Sequence, residues 1–306
     1  MSATPILEFR DIARYFNRGK PALSDVSFAM DAEEVVALLG RNGAGKSTLI
    51  QIAMGMLFPH AGSVRVFGLD PIKQPVAVKK RVGYVAENQL LPPKSTIAEV
   101  IAFHRYLFPT WDATLEKHLL ERFGLVGNNS RISQLSKGQA RQAALLCAVC
   151  HRPELLILDE PAGGLDPLAR REFLETAIQL LNREGTAILF SSHYMGDVER
   201  MGGRVVLLDE GKVRLDQDLD SLREQHCLAI IPRHAVPAAS TIESVPGCLK
   251  VHAEYGEWRA IFQGTPQQVE QQLHHSLGVG NIRCATIPLE ELFVEMVSGS
   301  RLAAAS

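Results

Sequence analysis

A glycine-rich segment, Gly40-Arg41-Asn42-Gly43-Ala44-Gly45-Lys46-Ser47-Thr48, has the residue types and the spacing of a phosphate-binding loop. The apolar run at residues 35–39 before it predicts a buried strand, and residues 49–56 after it have the pattern of a helix. Glycines let backbone N–H groups converge on an anion, and the helix N-terminus adds positive potential. Lys46 can reach the β- and γ-phosphates, and the Ser47 hydroxyl can ligate Mg²⁺. A chance glycine-rich turn would not need the flanking strand and helix. The sequence therefore predicts a nucleotide site formed by Gly40, Asn42, Gly43, Ala44, Gly45, Lys46, Ser47 and Thr48.

Two adjacent carboxylates, Asp159 and Glu160, follow a second apolar run at residues 155–158. Because side chains alternate along a strand, the two point in different directions and can take different roles. Asp159 suits the coordination shell of Mg²⁺, and Glu160 suits a general base that polarises an attacking water. In isolation they would be a solvated pair at the end of a strand, and the phosphate-binding loop is what favours the catalytic interpretation.

A capping box, Ser136-Lys137-Gly138-Gln139, opens the alanine-rich segment at residues 140–150. The sequence thus contains a second helix N-terminus with a glycine beside it, and hence a second potential anion site. Alone, the motif would indicate only a well-capped helix. Because the sequence also contains the phosphate-binding loop, the motif suggests that one nucleotide could contact both helix N-termini.

The elements that must position these residues fall into a mixed α/β pattern. Near-continuous apolar runs predict parallel strands buried on both faces at residues 35–39, 155–158, 186–190 and 204–208. Alternating segments predict half-exposed antiparallel strands at residues 6–9, 26–30 and 63–67. The first domain is expected to span residues 1–215.

Two further segments differ in pattern from this α/β core. Apolar residues at helical spacing predict a small helical insertion over about residues 89–150. After residue 216 the chain predicts a smaller α+β domain, with strands at residues 228–231, 249–252 and 258–262 and a glutamine-rich helix at 266–275. We expect this accessory domain to span residues 216–306.

Length, charge and cysteine content narrow the classes of protein. The 306 residues favour about two domains, and the net charge of −2 excludes attraction of the whole chain to nucleic acid or an acidic membrane. Five cysteines, an odd number, argue against a secreted disulfide scaffold and favour a reducing cytosol. We find neither a signal peptide nor the roughly 18 apolar residues of a membrane span, so work at a membrane would require a partner.

Together these motifs resemble the nucleotide-binding subunit of an ABC transporter over residues 5–215. Residues 40–48 match its Walker A motif, residues 135–139 its signature motif and residues 155–160 its Walker B motif with the catalytic glutamate. Asp166 in Gly164-Leu165-Asp166 is similar to the aspartate of the loop that follows Walker B, and His193 to the switch histidine. Tyr15 sits where the family places an aromatic ring against adenine.

The resemblance implies a P-loop NTPase fold of the ABC type, with an antiparallel β subdomain, a helical subdomain and a small C-terminal α+β domain. It implies ATP and Mg²⁺ as cofactors, Glu160, His193 and Lys46 as catalytic residues, and Ser47, Asp159 and Glu87 as metal ligands. Two copies, or two paired ATPase subunits, would dimerise head to tail. Ser136, Gly138 and Gln139 of one copy would then face the γ-phosphate held by Lys46 of the other, with Asp166 nearby. Hydrolysis would separate the dimer and drive a separate transmembrane permease.

Two positions depart from the family pattern. Glu87 stands where a coupling glutamine is common, with Asn88 and Gln89 after it, and adds negative charge beside the phosphates. Lys137 replaces the middle glycine of the signature motif, while Ser136 and Gly138 are kept, so we expect function to be retained. The segment at residues 287–297 resembles the tail of export-type ABC systems.

The resulting expectation is an ATP-hydrolysing subunit in the cytoplasm, peripheral on the inner face of the cell membrane, that serves export. One alternative is a soluble mechanical ABC ATPase acting on ribosomes or DNA. The single nucleotide domain and the lack of a basic arm count against it, and no nucleic-acid partner is expected. Another is a regulatory module without useful turnover, which the presence of Glu160 and His193 disfavours.

Overall fold

A computed structural model describes residues 4–16, 21–87, 91–127, 129–280 and 282–297, apart from the side chains of residues 180–184 and 295–297. The chain forms two units, Met1–Asp216 and Gln217–Ser306, and each is described by itself. Gln89 and the beginning of the predicted helical insertion lie outside the described residues. Within the described part of the chain, no helix combines the length and the apolar character needed to cross a bilayer.

A six-stranded sheet, in the order β5-β6-β7-β3-β8-β9, forms the centre of the first unit. Its strands are β3 (Val35–Leu39), β5 (Val82–Val85), β6 (Leu155–Leu158), β7 (Ala187–Ser192), β8 (Arg204–Asp209) and β9 (Lys212–Asp218). The pairings from β5 through β8 are parallel, which confirms the predicted buried parallel strands. Because parallel strands end at the same edge, the segments after β3, β6 and β7 meet there.

A second sheet of the first unit is antiparallel, in the order β2-β1-β4. It consists of β1 (Leu7–Arg14), β2 (Leu23–Met30) and β4 (Ala61–Val66), as the alternating segments predicted. Phe9 and Phe28 pack with ring centroids 4.9 Å apart. They belong to one apolar core with Val36, Leu38 and Ile157 of the six-stranded sheet, so burial of both sheets against each other stabilises the unit.

The helices of the first unit are α1 (Lys46–Ala53), α2 (Pro75–Lys79), α3 (Ile97–Leu107), α4 (Ala113–Arg122), α5 (Lys137–Val149), α6 (Pro167–Glu184) and α7 (Met195–Met201). Within the predicted insertion, Thr96 caps α3 and Asp112 caps α4 with side-chain oxygens. The buried carboxylate of Glu116 accepts hydrogen bonds from Arg105 and Trp111, which ties the two helices together. A buried charge is tolerated there because it is paired.

The second unit is an antiparallel sheet with helices, as predicted. Its strand order is β11-β12-β10-β13. The strands are β10 (His226–Pro232), β11 (Cys248–Glu254), β12 (Glu257–Gln263) and β13 (Arg283–Thr286), and the helices are α8 (Leu219–Glu224), α9 (Ala239–Glu243), α10 (Pro266–Leu277) and α11 (Leu289–Val297). Trp258 and Phe262 of β12 pack with Val269 and Leu273 of α10 in its core.

Candidate functional site

The phosphate-binding loop joins the end of β3 to the start of α1. Gly45 is the N-cap of α1 and has a φ of 107°, and a Cβ there would lie 2.6 Å from the carbonyl oxygen of Ala22. At Gly40 a Cβ would lie 2.3 Å from the carbonyl oxygen of Leu208. Both positions therefore require glycine, and the first turn of α1 directs its free N–H groups at the loop.

A cavity of about 560 Å³ lies over this loop. It is lined by Phe16, Ala22, Asn42, Gly43, Gly45, Lys46, Ser47, Thr48, Glu87 and Glu160. A predicted metal ligand, Glu87, and a predicted catalytic residue, Glu160, thus share one cavity with the phosphate-binding loop. Gly40 and Ala44 do not line the cavity: the Gly40 N–H donates to the carbonyl of Ser192, and the N–H of the buried Ala44 donates to the carbonyl of Arg41.

Lys46 is a buried cation inside this cavity. Its side chain is 6% exposed, and its Nζ donates to the carbonyl of Gly40 at 2.7 Å. The same Nζ lies 3.0 Å from Oε1 of Glu160. The ammonium of Lys46 thus compensates the charge of the buried Glu160 carboxylate and faces the space that phosphates would occupy.

Asp159 is held by two hydroxyl groups at the carboxyl end of β6. Its Oδ1 accepts a hydrogen bond from Ser191 Oγ at 2.7 Å and one from Ser47 Oγ at 3.1 Å. Burial raises the pKa of Asp159, and the hydrogen bonds from Ser191 and Ser47 oppose that rise. The predicted pair of Ser47 and Asp159 is therefore brought together by the fold.

Glu160 has a φ of 44°, which places a non-glycine residue in the left-handed region. Its N–H donates to Ser191 Oγ at 2.8 Å, and its Oε2 lies 2.8 Å from Nδ1 of His193. Such a backbone conformation costs on the order of 1 kcal/mol and persists only where the surroundings fix it. Here the conformation sends the Glu160 carboxylate toward both Lys46 and His193.

His193 is supported by a cluster of side chains on α6 and α7. Arg170 donates two hydrogen bonds to the buried carboxylate of Asp197, both at 2.6 Å, and its guanidinium lies 4.2 Å from the ring centroid of Tyr194. Ser192 Oγ also donates to Asp197, at 3.0 Å. The residues on either side of His193 are therefore fixed to both helices.

The signature residues do not line the cavity over the phosphate-binding loop. Ser136 caps α5: its Oγ accepts the N–H of Gln139, and the side chain of Gln139 accepts the N–H of Ser136, each at 3.1 Å. A Cβ on Gly138 would lie 3.4 Å from Cβ of Ala169 in α6, whose N-terminus Asp166 caps through Oδ1. None of the four predicted residues Ser136, Gly138, Gln139 and Asp166 is among those that line the cavity.

The aromatic position differs from the sequence-based expectation. The ring of Tyr15 packs edge-on against His60, with centroids 5.6 Å apart, and its N–H donates to Nδ1 of the same histidine. Tyr15 is not among the residues that line the cavity, whereas its neighbour Phe16 is. The contact of Tyr15 with adenine stays a prediction, and Phe16 is the alternative residue for that contact.

The oxygen atoms in the cavity and directly beside it fit Mg²⁺ held jointly with a nucleotide. The Ser47 hydroxyl and the Asp159 carboxylate lie side by side, and Glu87 lines the same cavity. Over the described ranges, no three His, Cys, Asp or Glu side chains form a group that could hold a metal by itself. Mg²⁺ commonly uses one or two protein carboxylates and completes its shell with phosphate and water.

Sequence reasoning missed Ser191 and Arg170, because their importance depends on neighbours distant in the chain. Ser191 follows from strand order alone: β6 and β7 are adjacent and parallel, so the residues at their carboxyl ends face one another. The charged pair Arg170-Arg171 in the sequence indicates only a helix face in solvent, yet Arg170 contacts Asp197 and Tyr194. Only the packing of α6 against α7 reveals that.

Comparisons with known proteins agree with this geometry. Residues 23–163 match the family model of the ABC transporter. The Nod factor export ATP-binding protein I of Burkholderia lata is 30% identical over 302 residues, covering 97% of this chain and 98% of that protein.

Solved structures extend the comparison to the fold. An ATP-binding subunit of an ABC transporter is 32% identical and superposes with a TM-score of 0.65, covering 71% of this chain and 92% of that one. A dimeric ATP-binding cassette bound to ADP and phosphate is 21% identical, with a TM-score of 0.62 over 70% of this chain and 98% of that one, and shares the fold. The chain therefore belongs to the ABC transporter family, as one of its ATP-binding, ATP-hydrolysing subunits.

Proposed function

We propose that this chain hydrolyses ATP between two head-to-tail copies and thereby drives a separate transmembrane permease that serves export. The observation that carries the hydrolytic part is that the Glu160 carboxylate, which lines the cavity beside Lys46, contacts both Lys46 and His193. Glu160 lies 3.0 Å from Lys46 and 2.8 Å from His193. Transfer of a phosphoryl group to water is helped by a general base for the water and by a cation that binds the phosphate oxygens. A side chain that orients the base supports both.

Each residue has a defined role in the reaction. Glu160 accepts a proton from a water whose oxygen attacks the γ-phosphorus, while the bond from that phosphorus to the bridging oxygen breaks and ADP leaves. Lys46 and the N–H groups at the start of α1 bind the phosphate oxygens, where negative charge accumulates. His193 orients the Glu160 carboxylate through Nδ1. Ser47 and Asp159, with Glu87 beside them, would hold Mg²⁺, which neutralises phosphate charge when bound.

The separation of two anion sites supports the dimer. The phosphate-binding loop lines the cavity, whereas the capped N-terminus of α5 with Ser136 and Gly138 does not. A second copy, turned head to tail, would bring its α5 N-terminus to the γ-phosphate held by Lys46. The dimeric state of the similar cassette bound to ADP and phosphate is in line with this arrangement.

The export direction and the permease rest on a different observation. The similarity to the Nod factor export protein covers 97% of this chain, and so includes the second unit as well as the ATP-binding unit. Because no described helix could span a bilayer, movement of a substrate across a membrane would require a partner that does. We therefore place the chain at the cytoplasmic face of the membrane through that partner.

Phosphate release from ATP tests the hydrolytic role. We expect Glu160→Gln to abolish release, and Lys46→Ala to abolish nucleotide binding or turnover. Glu154→Gln is the matched control, because Glu154 precedes the same strand β6 and pairs with Arg81 away from the cavity. A Glu160→Gln protein that releases phosphate at the wild-type rate would contradict the assignment of the base.

Co-purification from membranes tests the partner. We expect the tagged full-length chain, expressed in its own cells, to purify with an integral membrane protein and to leave it when that protein is depleted. Recovery with ribosomes or DNA instead would favour a mechanical ATPase and contradict the transporter assignment.

A further inference from the structure

Arg141 belongs to α5, the helix whose N-terminus carries the signature residues. It lies five residues after Ser136, the N-cap of α5. At 1.5 Å per residue, about 7.5 Å of helix separates the two positions. The guanidinium of Arg141 therefore lies within one and a half turns of the end that would face a partner's nucleotide.

The guanidinium of Arg141 donates to four backbone carbonyls on two separate loops. Its Nη1 donates to Glu160 at 3.1 Å and to Pro161 at 3.2 Å. Its Nη2 donates to Gly163 at 3.3 Å and to Glu87 at 2.5 Å. One side chain of α5 thus binds the backbone of the proposed base, the turn after it and the segment after β5.

The Glu160 carbonyl also accepts the N–H of Gly163 at 3.1 Å, so Arg141 adds a second donor to a turn that is already hydrogen-bonded. The left-handed backbone of Glu160 receives support from both sides: its N–H donates to Ser191 and its carbonyl accepts from Arg141. Burial lowers the pKa of Arg141, while the neighbouring charges of Glu87, Glu160 and Asp159 raise it. Arginine stays protonated in proteins even when it is buried, so the guanidinium of Arg141 keeps all of its N–H donors.

Resting on the proposed hydrolytic function, we propose that Arg141 is a positioning residue that joins the signature helix to the loop of Glu160 and to the segment of Glu87. A displacement of the α5 N-terminus on contact with a partner's nucleotide would reach the Glu160 backbone through this side chain. Arg141 does not line the cavity, and it acts by holding the Glu160 carboxylate in place.

Steady-state ATPase kinetics and nucleotide affinity of the full-length protein test this role. We expect Arg141→Gln to lower kcat by about 10- to 100-fold, the loss typical of a misplaced catalytic group. The dissociation constant for a fluorescent ATP analogue should stay within about threefold of wild type, because Arg141 does not line the cavity. Arg81→Gln is the matched control: Arg81 also makes a two-point contact, with Glu154, at the opposite end of β5 and β6.

A second variant keeps the test valid if Arg141→Gln folds poorly. Arg141→Lys preserves the charge, but a single ammonium cannot span carbonyls on both loops, so kcat should fall in this variant too.

The outcomes separate this inference from the proposed function. Wild-type kcat in Arg141→Gln or Arg141→Lys, with Glu160→Gln inactive, would overturn the role of Arg141 and leave the hydrolytic site intact. Nucleotide binding lost in parallel with turnover would also overturn it, because that pattern indicates general unfolding. An active Glu160→Gln protein would overturn the proposed function itself.

Discussion

At the scale of single residues, charges and hydroxyl groups in the cavity hold one another in place. Lys46 balances Glu160, and the Ser191 hydroxyl contacts both carboxylate residues at once. It donates to Asp159 at 2.7 Å and accepts from the N–H of Glu160 at 2.8 Å. Ser191 is fully buried, so its removal would leave both of these buried polar groups without that partner.

We therefore expect the substitution Ser191→Ala to change the pH dependence of kcat. The hydroxyl of Ser191 opposes the burial that raises the pKa of Asp159, so its removal should raise that pKa further. Since Asp159 must be ionised to ligate Mg²⁺, the acid limb of the kcat profile should move to higher pH. The profile measured from pH 5 to 8 checks this, with Thr186→Val as a control at the other end of β7. A limb that stays in place would contradict the role of Ser191.

Phe16 and Tyr15 are the two candidates for the aromatic ring that stacks on adenine. We expect Phe16→Ala to weaken ATP binding about tenfold, a loss within the range for an aromatic ring that stacks on a base. Tyr15→Ala should weaken it less, because Tyr15 packs on His60 instead of lining the cavity. Titration of both variants with a fluorescent ATP analogue decides between them. A larger effect of Tyr15→Ala would restore the assignment made from the sequence.

The residues within contiguous motifs could be predicted from the sequence, and those outside them could not. The loop from Gly40 to Thr48 is specified by its own glycines and by the strand before it, which is local information. Ser191 and Arg141 act on residues 31 and 19 positions away, respectively. Their roles depend on which strands are neighbours and where each side chain points, and no local pattern contains that.

At the scale of elements, the site depends on helices attached to the edge of a parallel sheet. Helices α6 and α7 follow the Asp166 loop and His193, and the Arg170–Asp197 pair joins them. The apolar runs predicted β3, β6, β7 and β8 well, because burial on both faces imposes a continuous pattern. They missed β5, β9 and β13, which are edge strands. The alternating exposure of β9 is typical of a strand at the border of a sheet.

The Arg170–Asp197 pair predicts a difference between two adjacent arginines. Arg170→Gln should lower the free energy of unfolding by about 2 to 3 kcal/mol, because it leaves the buried carboxylate of Asp197 without its cation. Arg171→Gln should cause no measurable change, since Arg171 pairs with Glu175 in solvent. Urea unfolding of the two variants measures both. Equal changes in the free energy of unfolding for the two variants would contradict a stabilising role of the Arg170–Asp197 pair.

At the scale of the whole molecule, the phosphate-binding loop lines the cavity and the capped N-terminus of α5 does not. Lys46 and Glu160 line the cavity, while Ser136 and Gly138 lie outside it. A head-to-tail pair of chains would complete two sites at once, and ATP would be the bridge between the copies. The second unit, Gln217–Ser306, has its own sheet and core, and its similarity to an export protein supports the direction proposed here.

The mass of the Glu160→Gln protein in solution, measured by light scattering with and without ATP and Mg²⁺, tests the central claim most directly. Because this variant should bind ATP without cleaving it, we expect a monomer of 33.6 kDa without nucleotide and twice that mass with it. Adding Ser136→Arg to this variant should keep the protein monomeric in ATP, since the partner's half of the site is then blocked. A Glu160→Gln protein that stays at 33.6 kDa in saturating ATP would contradict the shared site, and so would a dimer that ignores the change at Ser136.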